Sequence, residues 1–306
     1  MKADLLIFDG RHLLWRTFDA FHALGISVGG KEIGTGGIFG FLTVALRIHQ
    51  RYRGVATVAW EGKTNFRRDL YPDYKRKEKP DLDRRELITD MAEQERRLKA
   101  ILRAMGVRQY TAIHSEADDV IGRLANSGFA AKGHTVIYSG DSDLRQLVND
   151  RVTVVAPGRR GENVVYNEKA VYEKHGVVPC YIADLKALAG DSSDNIPGVR
   201  GIGPKTAAKM LIRYGDVDDV INGAKNNGNK YNENWGFPER FKTAIIQNAD
   251  NIRLYKKLTT IKTDTRMKPI KPKRNKHVLI RHLMAYRFQS LMSPAELNGL
   301  MRMGNG

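Results

Sequence analysis

The chain has 306 residues, 42% hydrophobic and 28% charged, enough to bury a substantial core in one large or two modest domains. Lys and Arg outnumber Asp and Glu by 51 to 34, and this excess favours a polyanionic partner, because each phosphate neutralised releases condensed counterions. A membrane-spanning run of ~20 apolar residues is missing, the single Cys180 allows no intrachain disulfide, and Asp9 and Arg11 break the first apolar run too early for a signal peptide. The expected setting is a reducing cytoplasm, with nucleic acid rather than membrane as partner.

In chain order, "ADLLIFDG" reads as a short buried strand ending at Asp9-Gly10. Residues 37–53 set Ile38, Phe41, Leu42, Ala45, Leu46 and His49 on one stripe of a helix. "VATVAWEG" is a second buried strand, ending at Glu61, and "RRELITDMAEQERRLKAILRAMG" a long amphipathic helix closed by Gly106. Then come "VRQYTAI", a strand; "SEADDVIGRLA", a helix opened by Ser115; "HTVIYSGDSDLRQLV", strand, loop and helix; and "RVTVVAPG", a strand. The alternation predicts an α/β domain over residues 1–175, a central mostly parallel sheet flanked by helices. From residue 176 to 265 the pattern is helical, in "PCYIADLKALAG", "KTAAKMLIRYG" and "PERFKTAIIQNADNIRLYKKL". Residues 222–234 read as a Gly/Asn-rich loop. In the C-terminal segment 266–306, "KPIKPKRNKH" reads as a basic connector before a last helix, "VLIRHLMAYRFQSLM".

Ligands of open parallel sheets gather beyond the carboxyl ends of the strands. Acids recur there: Asp9, Glu61, Glu116, Asp118, Asp119, Asp141 and Asp143, with Asp191 and Asp194 opening the helical part. Singly, each has a bland explanation. Asp9 suits a turn, Ser115 with Glu116 and Asp118 a helix cap, Asp141 and Asp143 another cap, and Asp191 and Asp194 a pair of turn residues. Jointly they point to one acidic patch whose mutual repulsion is relieved by hard cations such as Mg²⁺ or Mn²⁺. Two ions ~3.5 to 4 Å apart would clamp an in-line phosphoryl displacement, one activating water and the other steadying the leaving oxygen.

Residues 61–86 interleave Lys and Arg with Phe66, Tyr71 and Tyr74, which suits unpaired bases on aromatic faces and equally a solvated charged loop. "GVRGIGPKTAAKML" places Gly198, Gly201 and Gly203 at a tight turn before a helix begun by Pro204, with Lys205 and Lys209 beside it. Such glycines let N–H groups approach phosphate at a helix N-terminus, gripping duplex without reading sequence. A plain turn between helices is the alternative.

Together and in order, "LLIFDG", "FRRDLYPDYK", "EADDVIG", "GDSDLRQLV", "GDSSDNIPGVRGIGPKTAAK" and "KLTTIKTD" resemble the 5′-nuclease family: the 5′→3′ exonuclease domain of bacterial DNA polymerase I and stand-alone bacteriophage-type flap endonucleases. The resemblance implies a PIN-like core with a helical arch over residues 62–85, and an all-helical helix-three-turn-helix subdomain with its hairpin at residues 190–211. It implies two Mg²⁺ ions, replaceable by Mn²⁺. Asp9, Glu116, Asp118 and the Glu61 position would hold one, and Asp141, Asp143, Asp191 and Asp194 the other, with Asp119 shared or nearby. It sets Arg67 and Lys75 at the scissile phosphate with Tyr74 beside them. Arg76, Lys77 and Lys79 would meet DNA in the arch, while Gly198, Gly201, Gly203, Lys205, Thr206 and Lys209 would hold duplex, where the family also binds K⁺. The implied activity is a monomeric structure-specific 5′ nuclease on 5′ flaps, nicks and duplexes with a 5′ single strand, with the RNA of RNA/DNA hybrids as a further substrate. The competing readings are a non-catalytic DNA-junction-binding protein and a ribonuclease of the same fold. Two positions depart from the family pattern: Glu61 stands where Asp is usual, with one residue fewer before Phe66, and Glu78 where Arg is usual.

Overall fold

The computed structural model describes residues 2–76, 81–127, 133–158, 161–228 and 234–304. Lys77, Glu78, Lys79 and the middle of the Gly/Asn-rich loop therefore lie outside the described residues. Strands β1 (Leu5–Asp9), β2 (Gly25–Val28), β3 (Lys31–Gly34), β4 (Val55–Trp60), β5 (Arg108–Ala112), β6 (Thr135–Tyr138), β7 (Val152–Pro157) and β8 (Asn163–Tyr166) are interspersed with helices up to residue 166, and β9 (Met267–Ile270) follows near the C-terminus. The central sheet has the order β8-β7-β6-β1-β4-β5-β9. β1 and β4 are buried along their whole length, which is why they read as unbroken apolar runs rather than alternating ones. The inner five strands pair in parallel, and β8 and β9 close the two edges antiparallel.

Helices cover both faces. On one lie α1 (Gly10–Ala20), α2 (Gly36–Tyr52) and the C-terminal half of α4 (Leu82–Met105), around Leu14, Phe41, Trp60 and Leu102. Gly106 ends α4 at φ 87° in the left-handed conformation. The short α3 (Phe66–Leu70) stands between β4 and α4. On the other face α5 (Ala117–Ala125) leads into a helical layer of α6 (Glu168–His175), α7 (Ile182–Ala189), α8 (Pro204–Tyr214), α9 (Val217–Asn226), α10 (Glu239–Gln247) and α11 (Ala249–Thr259), joined in one apolar cluster with the sheet. The chain then returns to the first face with α12 (Lys276–Ala285) and α13 (Pro294–Arg302), whose Leu279, Leu283, Leu297 and Leu300 enter that core. No helix among the described residues is long and apolar enough to cross a membrane.

Several elements differ from the sequence reading. The stretch read as one helix over residues 238–258 is two, broken at Asn248, whose side-chain amide donates to the Ala244 carbonyl at 2.8 Å and competes with the helical ladder. The expected loop is partly helical, since α9 runs to Asn226 and ends on Asn227 at φ 56°. The first residues of the basic connector form β9, an edge strand that its prolines disguise. The β2–β3 hairpin was not anticipated.

Candidate metal centre and nucleic-acid interface

Parallel pairing delivers the carboxyl ends of β1, β4, β5 and β6 to one edge. There β1 ends on Asp9, β4 leads into Glu61, β5 into the Ser115–Asp119 turn and β6 into Asp141. A cleft of about 830 Å³ opens over them, lined by Asp9, Glu61, Glu116, Asp118, Asp141 and Asp194 together with Lys75 and Arg76. Ser139, not anticipated, ties the floor together. Its hydroxyl donates to Asp9 at 2.8 Å and accepts the Asp141 N–H at 3.0 Å, while Asp9 also accepts the His12 N–H at 3.1 Å. Burial raises the Asp9 pKa, and the Asp141 charge adds to it. Burial lifts Asp118 well above the usual carboxylate value, followed by the charges of Asp141 and Asp9 and opposed by Lys75. Glu61 sits at the rim with Arg11 3.5 Å away.

Asp143, Asp191 and Asp194 form a second group, offering oxygens within 4.8 Å of one another. The ammonium of Lys186 on α7 pairs with both Asp143 and Asp191, 2.6 Å from the latter. Burial raises the Asp191 pKa, but hydrogen bonds from Lys186 and Ser193 outweigh it and hold the carboxyl below its usual range. Sequence reading missed Lys186; its one signal was a lysine five residues before Asp191 on a helix that is otherwise apolar except for Asp184. The group stands on a tight turn in which Asp191 and Ile196 exchange backbone bonds of 2.8 and 2.9 Å.

This turn docks on the segment between α3 and α4. Asp194 O accepts the Lys75 N–H at 3.0 Å, and Asn195 donates to Asp73 O at 2.9 Å. Lys75 adopts φ 49°, a left-handed conformation that lysine takes only under constraint. Its ammonium lies 2.8 Å from Glu116 and 3.6 Å from Asp194. The Tyr74 hydroxyl, 1% exposed, lies 3.0 Å from Glu116 and 2.9 Å from Asp194. Burial raises the Asp194 pKa against the pull of Lys75.

Arg67 and Asp119 are placed differently from the cleft residues. Both are buried, and Arg67 grips Asp119 with two bonds of 2.6 and 2.8 Å while donating to the carbonyls of Leu258 and Thr260 at 2.7 and 2.9 Å. Asp119 also accepts the N–H groups of Glu116 and Lys262. Glu116, rather than Ser115, is the N-cap of α5; Ser115 instead bonds the Thr265 hydroxyl at 2.7 Å. The pair therefore joins α3, α5 and the end of α11, behind the cleft.

At the hairpin, Gly198 and Gly201 take φ 66° and 86°, and Gly203 is the N-cap of α8 with Pro204 following. A Cβ on Gly198 would stand 2.3 Å from the Gly190 nitrogen. Gly201, Gly203, Lys205 and Lys209 are exposed and Thr206 is half-buried, so the turn and first exposed face of α8 form an open cationic surface. The carboxylates around the cleft are a hard oxygen set that fits a divalent cation such as Mg²⁺ or Mn²⁺.

Comparison with known proteins agrees with this layout. The family model described as 5′-3′ exonuclease, N-terminal resolvase-like domain, matches residues 4–176, and that described as 5′-3′ exonuclease, C-terminal SAM fold, matches residues 177–276. A 5′-3′ exonuclease of Aquifex aeolicus is 32% identical over 275 residues, covering 89% of each chain. DNA polymerase I of Chloroflexus aurantiacus is 35% identical over 265 residues, which are 85% of this chain and 26% of that protein, so the chain spans about a quarter of such relatives. Among solved structures, the bacteriophage T5 D15 protein co-crystallised with metal ions superposes with a TM-score of 0.67 at 19% identity, covering 98% of this chain and 97% of that one. The fold is that of the α/β nucleases with a central, largely parallel sheet, and the chain belongs to the 5′-3′ exonuclease family.

Proposed function

We propose that the protein is a divalent-metal-dependent, structure-specific 5′ nuclease that hydrolyses DNA phosphodiesters at 5′ ends and at single-strand/duplex junctions. The observation that carries this reading is the Asp143, Asp191 and Asp194 group, set beside a cleft lined by Asp9, Glu116, Asp118 and Asp141. Support comes from the 5′-3′ exonuclease relatives and from the T5 D15 flap endonuclease, whose fold this chain shares and which has been crystallised with DNA and metal ions.

Mg²⁺, with Mn²⁺ as substitute, would be held by Asp143, Asp191 and Asp194 on one side and by Asp9, Glu116, Asp118 and Asp141 on the other. When bound, it supplies activation of water and charge stabilisation in phosphoryl displacement. The chain's own groups do the rest. Lys75 offers its ammonium to the phosphate at the cleft, held there by Glu116, and Tyr74 orients Glu116 and Asp194. Arg76 lines the cleft and attracts the strand. Glu61 holds Arg11, and Arg67 and Asp119 brace the frame. Gly198 to Lys209 grips duplex phosphate, with K⁺ as a further ligand of the hairpin carbonyls. The substrates are 5′ flaps, nicks, duplexes with a 5′ single strand and the RNA strand of hybrids, cut by a cytoplasmic monomer.

The test is an end-labelled set of flap, nicked and blunt DNA with and without Mg²⁺. Cleavage near the junction only with Mg²⁺ is expected. Asp141→Asn with Asp143→Asn should bind the flap and leave it intact; full turnover by that double variant would refute the assignment.

A further inference from the structure

Between Arg266 and Arg287 the chain carries eight Lys or Arg and no Asp or Glu, close to half of its net charge of +17. None of these residues lines the carboxylate cleft. β9 runs antiparallel to β5, with Met267 opposite Ala112 at the cleft end and Ile270 opposite Gln109. The basic segment therefore leaves the sheet at the edge away from the carboxylates, about 15 Å along the strands. It is ordered there, because the N–H groups of Lys273 and Asn275 bond the carbonyls of Arg103 and Ala104 at 2.9 and 2.8 Å, satisfying the C-terminal end of α4.

Between this segment, α4 and α12 runs a groove of about 460 Å³, lined by the small or apolar Ala100, Ala104 and Ile270 and by Lys99, Arg103 and Lys273. Lys268, Lys271, Lys276 and Arg281 are exposed on the same segment and helix. The acids one turn earlier on α4, Glu93 and Glu95, are already engaged by Arg96, Arg97 and Lys99. Glu95 thus offsets Lys99, while the basic segment and α12 bring no acid of their own.

We infer that this groove is a second nucleic-acid-binding surface that holds a phosphate backbone by charge, at the edge of the sheet opposite the cleft. An acidic peptide added to the β9 edge fits less well. Pro269 and Pro272 carry no N–H, and edge prolines flanked by lysines block strand addition. Lys268, Lys271, Lys273 and Lys276 are all exposed and supply the point charges that a phosphate backbone takes without regard to sequence. Sites at opposite edges let one molecule hold two DNA segments, so competitor DNA should speed dissociation.

The inference rests on the reading that the chain acts on DNA, and its test is kept apart from cleavage. The triple variant Lys271→Gln, Lys273→Gln, Lys276→Gln changes only exposed residues outside the cleft. Binding of a long blunt duplex is measured in EDTA against KCl concentration, alongside flap cleavage on the shortest substrate. The expected plot of log affinity against log salt is shallower by about 2 to 3, at ~0.9 per lost phosphate contact, with kcat on the short flap unchanged. An unchanged slope overturns the inference. So does binding of poly-glutamate by the wild type and not by the variant while the DNA slope stays the same, which would assign the groove to an acidic protein. A parallel fall in kcat overturns it as well, by assigning the segment to the substrate path of the cleft. Because the slope is read without cleavage, absence of nuclease activity would leave it measurable.

Discussion

Replacing Arg67 by Met should damage the fold far more than the chemistry. The guanidinium makes two bonds to Asp119 and two to the carbonyls of Leu258 and Thr260, at 2.6 to 2.9 Å, and the two side chains are 2% and 0% exposed. Methionine fills similar volume, so cavity formation contributes little. What remains is a carboxylate sealed from water without its cation, which costs about 3–5 kcal/mol, and two carbonyls each losing a donor, about 1 kcal/mol together after repair by neighbouring donors. A loss of about 4–6 kcal/mol corresponds to a fall in Tm of roughly 8–12 °C for a chain of this size. Urea and thermal melts in EDTA measure it, and flap cleavage at low temperature is then expressed per folded molecule. A loss under about 1 kcal/mol with a collapse of that normalised rate would refute the reasoning and return Arg67 to the substrate.

Lys186→Met leaves Asp143 and Asp191 facing each other, so metal-free stability should fall by about 2 kcal/mol and added Mg²⁺ should raise Tm by more than in the wild type; an equal rise would count against the ammonium as stand-in cation. Burial and then Arg145 and Lys174 depress the His175 pKa from 6.5 to about 4. The unfolded chain therefore binds the extra proton between those values, and stability present above pH 6.5 is lost as pH falls through about 4. After discounting for partial exposure the loss is about 1–2 kcal/mol, and His175→Gln should flatten the pH dependence of Tm across that window. Gly198→Ala combines a left-handed φ with a Cβ against the Gly190 backbone, so it should cost about 2–4 kcal/mol and weaken duplex binding, read by urea melts and by duplex affinity in EDTA.

The inner strands were legible because two-sided burial writes an unbroken apolar run, as in "LLIFD" and "VATVAW". That same pattern located the carboxylates, since a strand end is where an acid stands out. The edges were not legible: β8 has half-exposed ends and exposed central valines, and β9 hides behind Pro269. Within the site, the residue types and spacing announced acids but not which would face the cleft. Asp118 and Asp119 are neighbours in sequence, yet one lines the cleft and the other is turned to Arg67, because successive positions on α5 differ by about 100° in direction. Lys186 escaped for a related reason, as only tertiary packing brings α7 beside Asp143.

Asp191 and Asp194 stand on the turn that follows α7, about 180 residues after the first strand of the sheet has been made. A nascent chain that has reached only its α/β half holds the earlier acids but not the three-carboxylate group. The three-carboxylate group is therefore completed late in synthesis, just before the glycine hairpin and α8 that follow it in the chain.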